Sequence, residues 1–75
     1  MNVDDVLSSH PDIVSGAVVF RGTRVPVETL FVYLSAGDSL DAYLSDFPTV
    51  ERAQVEAVLQ IASDDLQAIV GKKAA

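Results

Sequence analysis

The sequence predicts a small, mainly α-helical domain in which a short β-strand or hairpin precedes three helices. Three observations predict this class: one run of β-branched and aromatic residues, three apolar stripes at helical spacing, and short connections that contain Gly or Pro. The 75 residues suffice for one domain. We divide it into an N-terminal segment (1–15), a strand or hairpin (16–26), three helices (27–70) and a frayed tail (71–75).

The β signal lies in the first third of the chain. Apolar residues within 3–7 have helical spacing and fit one short helical turn. Residues 17–20 read Ala-Val-Val-Phe, a run typical of a strand. Gly22 marks a turn, and Pro26 forces the residue before it toward an extended conformation. We therefore expect either a tight hairpin or a strand followed by a bend.

Each of the three predicted helices has an apolar stripe. The first ends at Gly37, Ser39 caps the second, and Pro48 closes it. The third extends to about Val70, with Gly71 as its stop. The stripes are Val27, Leu30, Phe31 and Leu34; Leu40, Tyr43, Leu44 and Phe47; and Val55, Val58, Leu59, Ala62, Leu66 and Ile69.

Two residues compete for the N-cap of the third helix. Thr49 has the better capping side chain, whereas Glu51 would place a negative charge near the positive end of the helix. If Glu51 is the cap, Val50 and Val55 occupy the two positions of a hydrophobic staple. The sequence leaves this choice open.

The composition favours binding to another protein over catalysis. Eleven acidic residues against five basic ones give a net charge of -6, which repels DNA unless the cations cluster and attracts basic protein partners. Hydrophobic residues make up 49% of the chain, and Ala57 and Ile61 add a second apolar ridge to the third helix. Both features indicate surface buried against a partner or a second copy.

Several classes of protein are not expected from this sequence. It has no cysteine and no recognisable catalytic triad, so we expect neither an enzyme nor a metal or cofactor site. No stretch approaches the roughly 18 apolar residues of a membrane span, and the start is acidic, unlike a secretory signal. We expect a cytoplasmic protein without membrane contact.

Two short helices and a longer one, joined by tight turns, predict a helix-turn-helix arrangement. Residues 40–47 would be its first helix, and the start of 52–62 would be the recognition helix. Arg52, Glu56 and Gln60 would then face DNA, where Arg and Gln can read base edges. The alternative is a solvated face with an Arg52–Glu56 pair one turn apart.

One signature extends over most of the chain, about residues 10–66. The run 10–27 ends in Gly-Thr-Arg-Val-Pro-Val at 22–27, and Gly-Asp-Ser at 37–39 and Asp-Phe-Pro at 46–48 follow. This pattern resembles the bacterial and archaeal family called domain of unknown function 433. The departures from it are Ser15, Val18, Glu51, Ala53 and Gln54.

The resemblance implies a winged-helix or homeodomain-like fold and a VapB-type antitoxin, with a PIN-like ribonuclease toxin as partner. Arg21, Thr23 and Arg24 are the candidate residues for binding the toxin or nucleic acid. One of the two arginines could reach a phosphate or, because a PIN-like active site is rich in acidic residues, the carboxylates of the toxin as a bidentate fork. The alternative for both arginines is an internal salt bridge or helix cap that fixes the hairpin. We expect a homodimer that neutralises its toxin, with repression of its own operon as a second role.

Two other functions stay open at this point. A stand-alone helix-turn-helix regulator would bind operator DNA with a steep salt dependence, and dimerisation would double the few basic residues on one face. A structural adaptor would use the fold without DNA contact.

Overall fold

The structure, a computed structural model, describes the backbone of residues 3–9 and 17–74 and the side chains of 3–9 and 17–71. The described part is mainly helical, with a two-stranded antiparallel sheet near its N-terminal end, which confirms the predicted class at this level. No described helix is long and apolar enough to cross a membrane. In chain order the elements are α1 (Val3–Val6), β1 (Leu7–Ser9), β2 (Val18–Phe20), α2 (Glu28–Ser35), α3 (Leu40–Asp46) and α4 (Arg52–Ala74).

Strand β2 has hydrogen-bonded partners on both sides. It pairs antiparallel with β1, with Ser8 opposite Val19. The chain then turns at Gly22, whose φ is +80°, and returns so that Val19 also bridges Pro26. For 16–26 the sequence left open a tight hairpin or a strand followed by a bend; the structure has the strand at Val18–Phe20, then this turn and a single bridge at Pro26. The strand within 1–15 was missed because Leu-Ser-Ser carries almost no β signal of its own.

The hydrophobic core draws on every element except β1. Residues of the second predicted stripe and of the first half of the third stripe lie in it or pack against it. In so small a chain, each helix or strand is stabilised mainly by the burial of its apolar side chains in this common core. The buried side chains of this cluster are Val6, Phe20, Leu30, Tyr43, Val50, Val55 and Val58, and Val19 is buried as well.

The first predicted stripe needs a correction. Leu30 is buried, but Phe31 and Leu34 are exposed. Helix α2 instead turns Leu30 and Tyr33 inward, because the Tyr33 ring packs edge-on against Tyr43 with 5.1 Å between centroids. The stripe spacing is compatible with either face, and the aromatic contact, worth about 0.5–1.5 kcal/mol beyond burial, favours the observed one.

Helix ends follow the predicted caps in two places. Gly37 ends α2 with a φ of +91°, and the N–H groups of Gly37 and Asp38 donate to the carbonyl oxygens of Leu34 and Tyr33, which is a Schellman motif. At α3, the Ser39 hydroxyl oxygen accepts a hydrogen bond from the backbone N–H of Ala42 at 3.0 Å. Both ends were therefore fixed by local sequence.

The N-terminus of α4 resolves the choice between the two caps. The helix begins at Arg52, so Glu51 occupies the cap position, and its N–H donates to the side-chain oxygen of Gln54 at 3.0 Å. This is the backward half of a capping box. Val50 and Val55 are both buried, as expected for the hydrophobic staple that accompanies this cap.

The end of α4 differs from the prediction. Gly71 lies within the helix, which continues to Ala74 instead of ending near Val70. A glycine inside a helix costs only about 1 kcal/mol relative to alanine. Without a following proline, that cost does not end the helix.

We expect Ser39→Ala to lower the free energy of unfolding by about 1 kcal/mol, because the N–H of Ala42 loses its acceptor. Urea denaturation followed by circular dichroism measures the change. Ser45→Ala is the matched control, since Ser45 is exposed inside the same helix and is expected to alter stability by less than about 0.5 kcal/mol. Equal losses in the two variants would contradict the capping role.

Two tyrosines make stability depend on alkaline pH. The Tyr33 hydroxyl donates to an Asp46 carboxylate oxygen at 2.6 Å, and this bond, ahead of burial, raises the pKa of Tyr33 above its ordinary value of 10.0. Burial raises the pKa of Tyr43, against a smaller lowering by its hydrogen bond to Thr29. In the unfolded chain both groups lose their protons more readily than in the folded one.

We therefore expect full stability below about pH 10 and a progressive loss as the pH rises above it. Thermal unfolding measured at intervals from about pH 8 to about pH 11 checks this. In Tyr33→Phe the loss of stability with pH should be smaller, because one of the two groups whose pKa is raised in the folded chain has been removed. An unfolding midpoint that rises with pH across this range would contradict the assigned directions.

Candidate functional site

A groove of about 660 Å³ lies between the turn that follows β2 and the segment that joins α3 to α4. Two distant pieces of the sequence signature, 22–27 and 46–48, meet here. The lining residues are Ser8, Gly22, Thr23, Arg24, Val25, Pro26, Phe47 and Thr49.

Thr23 holds the turn that forms one wall of the groove. Its hydroxyl donates to the carbonyl oxygen of Phe20 at 2.8 Å and accepts from the N–H of Val25 at 3.0 Å. Gly22 supplies the positive φ that this turn needs. Thr23, predicted as a partner-binding residue, thus also fixes the backbone that carries Arg24.

Arg21 is tied to the N-terminal elements. Its guanidinium donates to the carbonyl oxygens of Asp4, at 2.5 Å, and Leu7, at 3.2 Å. These bonds satisfy carbonyl groups at the junction of α1 and β1 and hold them against β2. The arrangement matches the stabilising alternative for this arginine, with backbone carbonyls in place of the expected carboxylate.

Arg24 has a different environment. It is exposed, lines the groove, and makes no hydrogen bond or ion pair with any residue in the described ranges. Of the chain's three arginines, the other two have partners within the fold. The guanidinium of Arg24 is therefore available to an acceptor supplied from outside.

The proposed DNA-facing residues lie on α4, away from the signature turn in sequence. Arg52 forms an ion pair with Asp41 rather than with Glu56. The side-chain amide of Gln60 donates to Asp64 at 2.9 Å. Arg52 and Gln60 thus both have partners within the fold, although exposed pairs of this kind contribute at most about 1 kcal/mol.

Gln54 is a residue whose role sequence reasoning missed. Its side-chain N–H donates to the carbonyl oxygen of Arg21 at 3.0 Å, while its oxygen completes the cap of α4. It therefore links the start of α4 to the turn beside the groove. A glutamine three residues after Glu51 signals the cap, but no sequence signal indicates the contact with Arg21.

Comparison with known proteins gives a family but no activity. A family model described as "Protein of unknown function (DUF433)" matches residues 3–62. A curated relative, "Uncharacterized protein y4eO" of Sinorhizobium fredii (strain NBRC 101917 / NGR234), is 35% identical over 51 residues. The match covers 68% of this chain and 23% of the relative, so the chain spans about a quarter of that protein. No solved structure matches the chain.

Proposed function

The chain belongs to the DUF433 family, and on that premise we propose that it is an antitoxin-like module that binds and neutralises a PIN-like ribonuclease. The observation that carries the proposal is Arg24, an exposed guanidinium at the edge of a groove with no acceptor among the described residues. The rest of the chain is strongly acidic, so this cation is presented against a background of opposite charge.

The chemistry of a guanidinium suits the proposed partner. It offers five donors in a planar fork that pairs with carboxylates in a bidentate way. A PIN-like active site is rich in acidic residues, and an arginine seated among them would occupy the carboxylates that the reaction needs. Val25, Pro26 and Phe47 line the same groove and would exclude water around the contact, which strengthens a charged hydrogen bond.

We assign α2, α3 and α4 to the helix-turn-helix class, as a winged-helix or homeodomain-like domain. The short segment 47–51 between α3 and α4 supports this assignment. DNA binding is then a second role rather than the first. Arg52, on the proposed recognition helix, forms an ion pair with Asp41. The net charge of -6 also opposes contact with the phosphates of DNA.

The test of the first role is co-expression of the full chain with the product of the neighbouring gene, which the proposal expects to be a PIN-like ribonuclease. We expect the two proteins to purify as one complex in which the ribonuclease is inactive, whereas the ribonuclease alone degrades RNA. Two separate proteins, with the ribonuclease fully active at equimolar chain, would contradict the proposal.

A second assay addresses the DNA role. The purified chain and its complex with the ribonuclease are each mixed with the promoter of their own operon at about 50 mM salt, where phosphate contacts are strong. A shift by the complex alone is expected if DNA binding depends on assembly. If neither the chain nor the complex shifted the promoter DNA, the regulatory role would be excluded.

A further inference from the structure

The C-terminal half of α4 carries an apolar face that no other described element covers. Val55, on the same stripe of the helix, is buried in the core. Leu66, Ile69 and Val70 are 63%, 51% and 64% exposed, and every residue of 64–71 is exposed. At 1.5 Å per residue, this exposed stretch is roughly 12 Å long.

The shape of this surface is complementary to itself. Leu66 and Val70, four residues apart, form a ridge, and a groove of about 460 Å³ runs beside it, lined also by Gln67 and Gly71. Gly71 leaves the groove open, because nothing in the described part of the chain lies within 4 Å of where its Cβ would stand. Helices pack by placing the ridge of one in the groove of the other, so one copy supplies both parts.

The order of charged residues around this patch also favours a second copy as the occupant. Two chains of charge -6 repel each other over most of their surfaces, but residues 66–71 contain no ionisable side chain. The patch is preceded by Asp64 and Asp65 and followed in sequence by lysines at positions 72 and 73. Antiparallel pairing brings the acidic end of one copy to the basic end of the other.

We propose that two copies associate through an antiparallel contact between the C-terminal halves of their α4 helices. The contact is isologous, since the same ridge and groove serve both chains. It covers the exposed apolar residues in the C-terminal half of α4, and it involves none of the residues that line the Arg24 groove. The proposal therefore stands or fails separately from the proposed ribonuclease partner.

Analytical ultracentrifugation of the full chain tests the contact, over concentrations from about 1 µM to about 1 mM, which span tight to weak association. We expect the mass of the wild type to rise to that of two chains within this range. The variant with Leu66→Glu and Val70→Glu should stay monomeric, with a dissociation constant raised at least about a hundredfold. Its helix content at low concentration should be unchanged, because both side chains are exposed.

Val32→Glu is the control for added negative charge, because Val32 is 58% exposed on α2 and the substitution places a glutamate on an exposed apolar position away from α4. It should dimerise like the wild type. Gly71→Gln gives a second variant that favours the helix while it fills the groove, and it should weaken association about tenfold or more. A wild type that stays monomeric, dimers that survive in both α4 variants, or loss of the dimer in Val32→Glu would each overturn the proposal.

Discussion

Tyr43→Ala is expected to cause the largest loss of stability of any single substitution considered, about 3–5 kcal/mol. Tyr43 is fully buried and is the largest such side chain in the described core, and its ring packs against Tyr33 and Phe47. Truncation of a buried aromatic residue costs about 3–5 kcal/mol. A 75-residue domain has a stability of only about 4–11 kcal/mol at the usual value per residue, so the substitution would remove a large share of it. Urea denaturation followed by circular dichroism measures the loss.

Tyr43→Phe is the control that separates the ring from its hydroxyl. It keeps the packing and removes only the hydrogen bond with the Thr29 hydroxyl, 2.9 Å long, at a cost of about 1 kcal/mol. Thr29 retains its bond to the carbonyl oxygen of Pro26. If the alanine variant were as stable as the phenylalanine variant, Tyr43 would not be the centre of the core.

Arg24→Glu is expected to lower the affinity for the proposed PIN-like ribonuclease partner at least about a hundredfold, because like charges brought together at an interface cost several kcal/mol. The unfolding midpoint should not change, since Arg24 contacts no acceptor in the described ranges and is exposed. Isothermal titration calorimetry gives the affinity, and thermal unfolding of the free chain gives the stability.

Two further variants test whether the effect comes from the guanidinium group and whether it is specific to Arg24. Arg24→Lys keeps the charge but loses the planar fork, so its affinity should lie between those of the wild type and Arg24→Glu. Arg21→Ala should behave in the opposite way, because it removes the donor from two backbone carbonyl groups. It should lower the unfolding midpoint and leave the affinity of the folded chain unchanged. Wild-type affinity in Arg24→Glu would exclude this arginine from the contact.

Features governed by neighbours in the chain could be predicted from the sequence. Ser39 caps α3, Gly37 ends α2, and β2 lies on its β-branched run, because each depends on residues within one turn or strand. The staple formed by Val50 and Val55 was predicted only on the condition that Glu51 is the cap, a choice that the sequence left open and the structure decides. These elements also establish the order of strand and helices that the structure shows.

Features that depend on distant residues could not be predicted. Strand β1 exists because β2 offers it a hydrogen-bonded edge, and its own Leu-Ser-Ser sequence gives no such signal. Phe31 has correct stripe spacing but is exposed, because the neighbouring helix α3 decides which face of α2 turns inward. Leu66 lies on the same stripe as Val55, yet α4 is longer than the core it packs against.

The candidate site shows the same division. The run 22–26 was singled out from its sequence, and its side of the groove is built by local turn chemistry. Ser8, Phe47 and Thr49 complete the lining, but they come from segments that meet it only in the folded chain. Sequence alone could not separate Arg21 from Arg24, because their different roles depend on whether a carbonyl group of α1 or β1 is within reach.

The most direct test of the central claim is to map where the ribonuclease contacts the chain. Amide resonances of the labelled chain are followed by NMR as purified PIN-like ribonuclease is added. We expect the largest changes at residues 22–25, Phe47 and Thr49, with the face of Arg52 and Gln60 little affected. Changes confined to that α4 face, or no change at saturating ribonuclease, would contradict the claim that the Arg24 groove is the binding site.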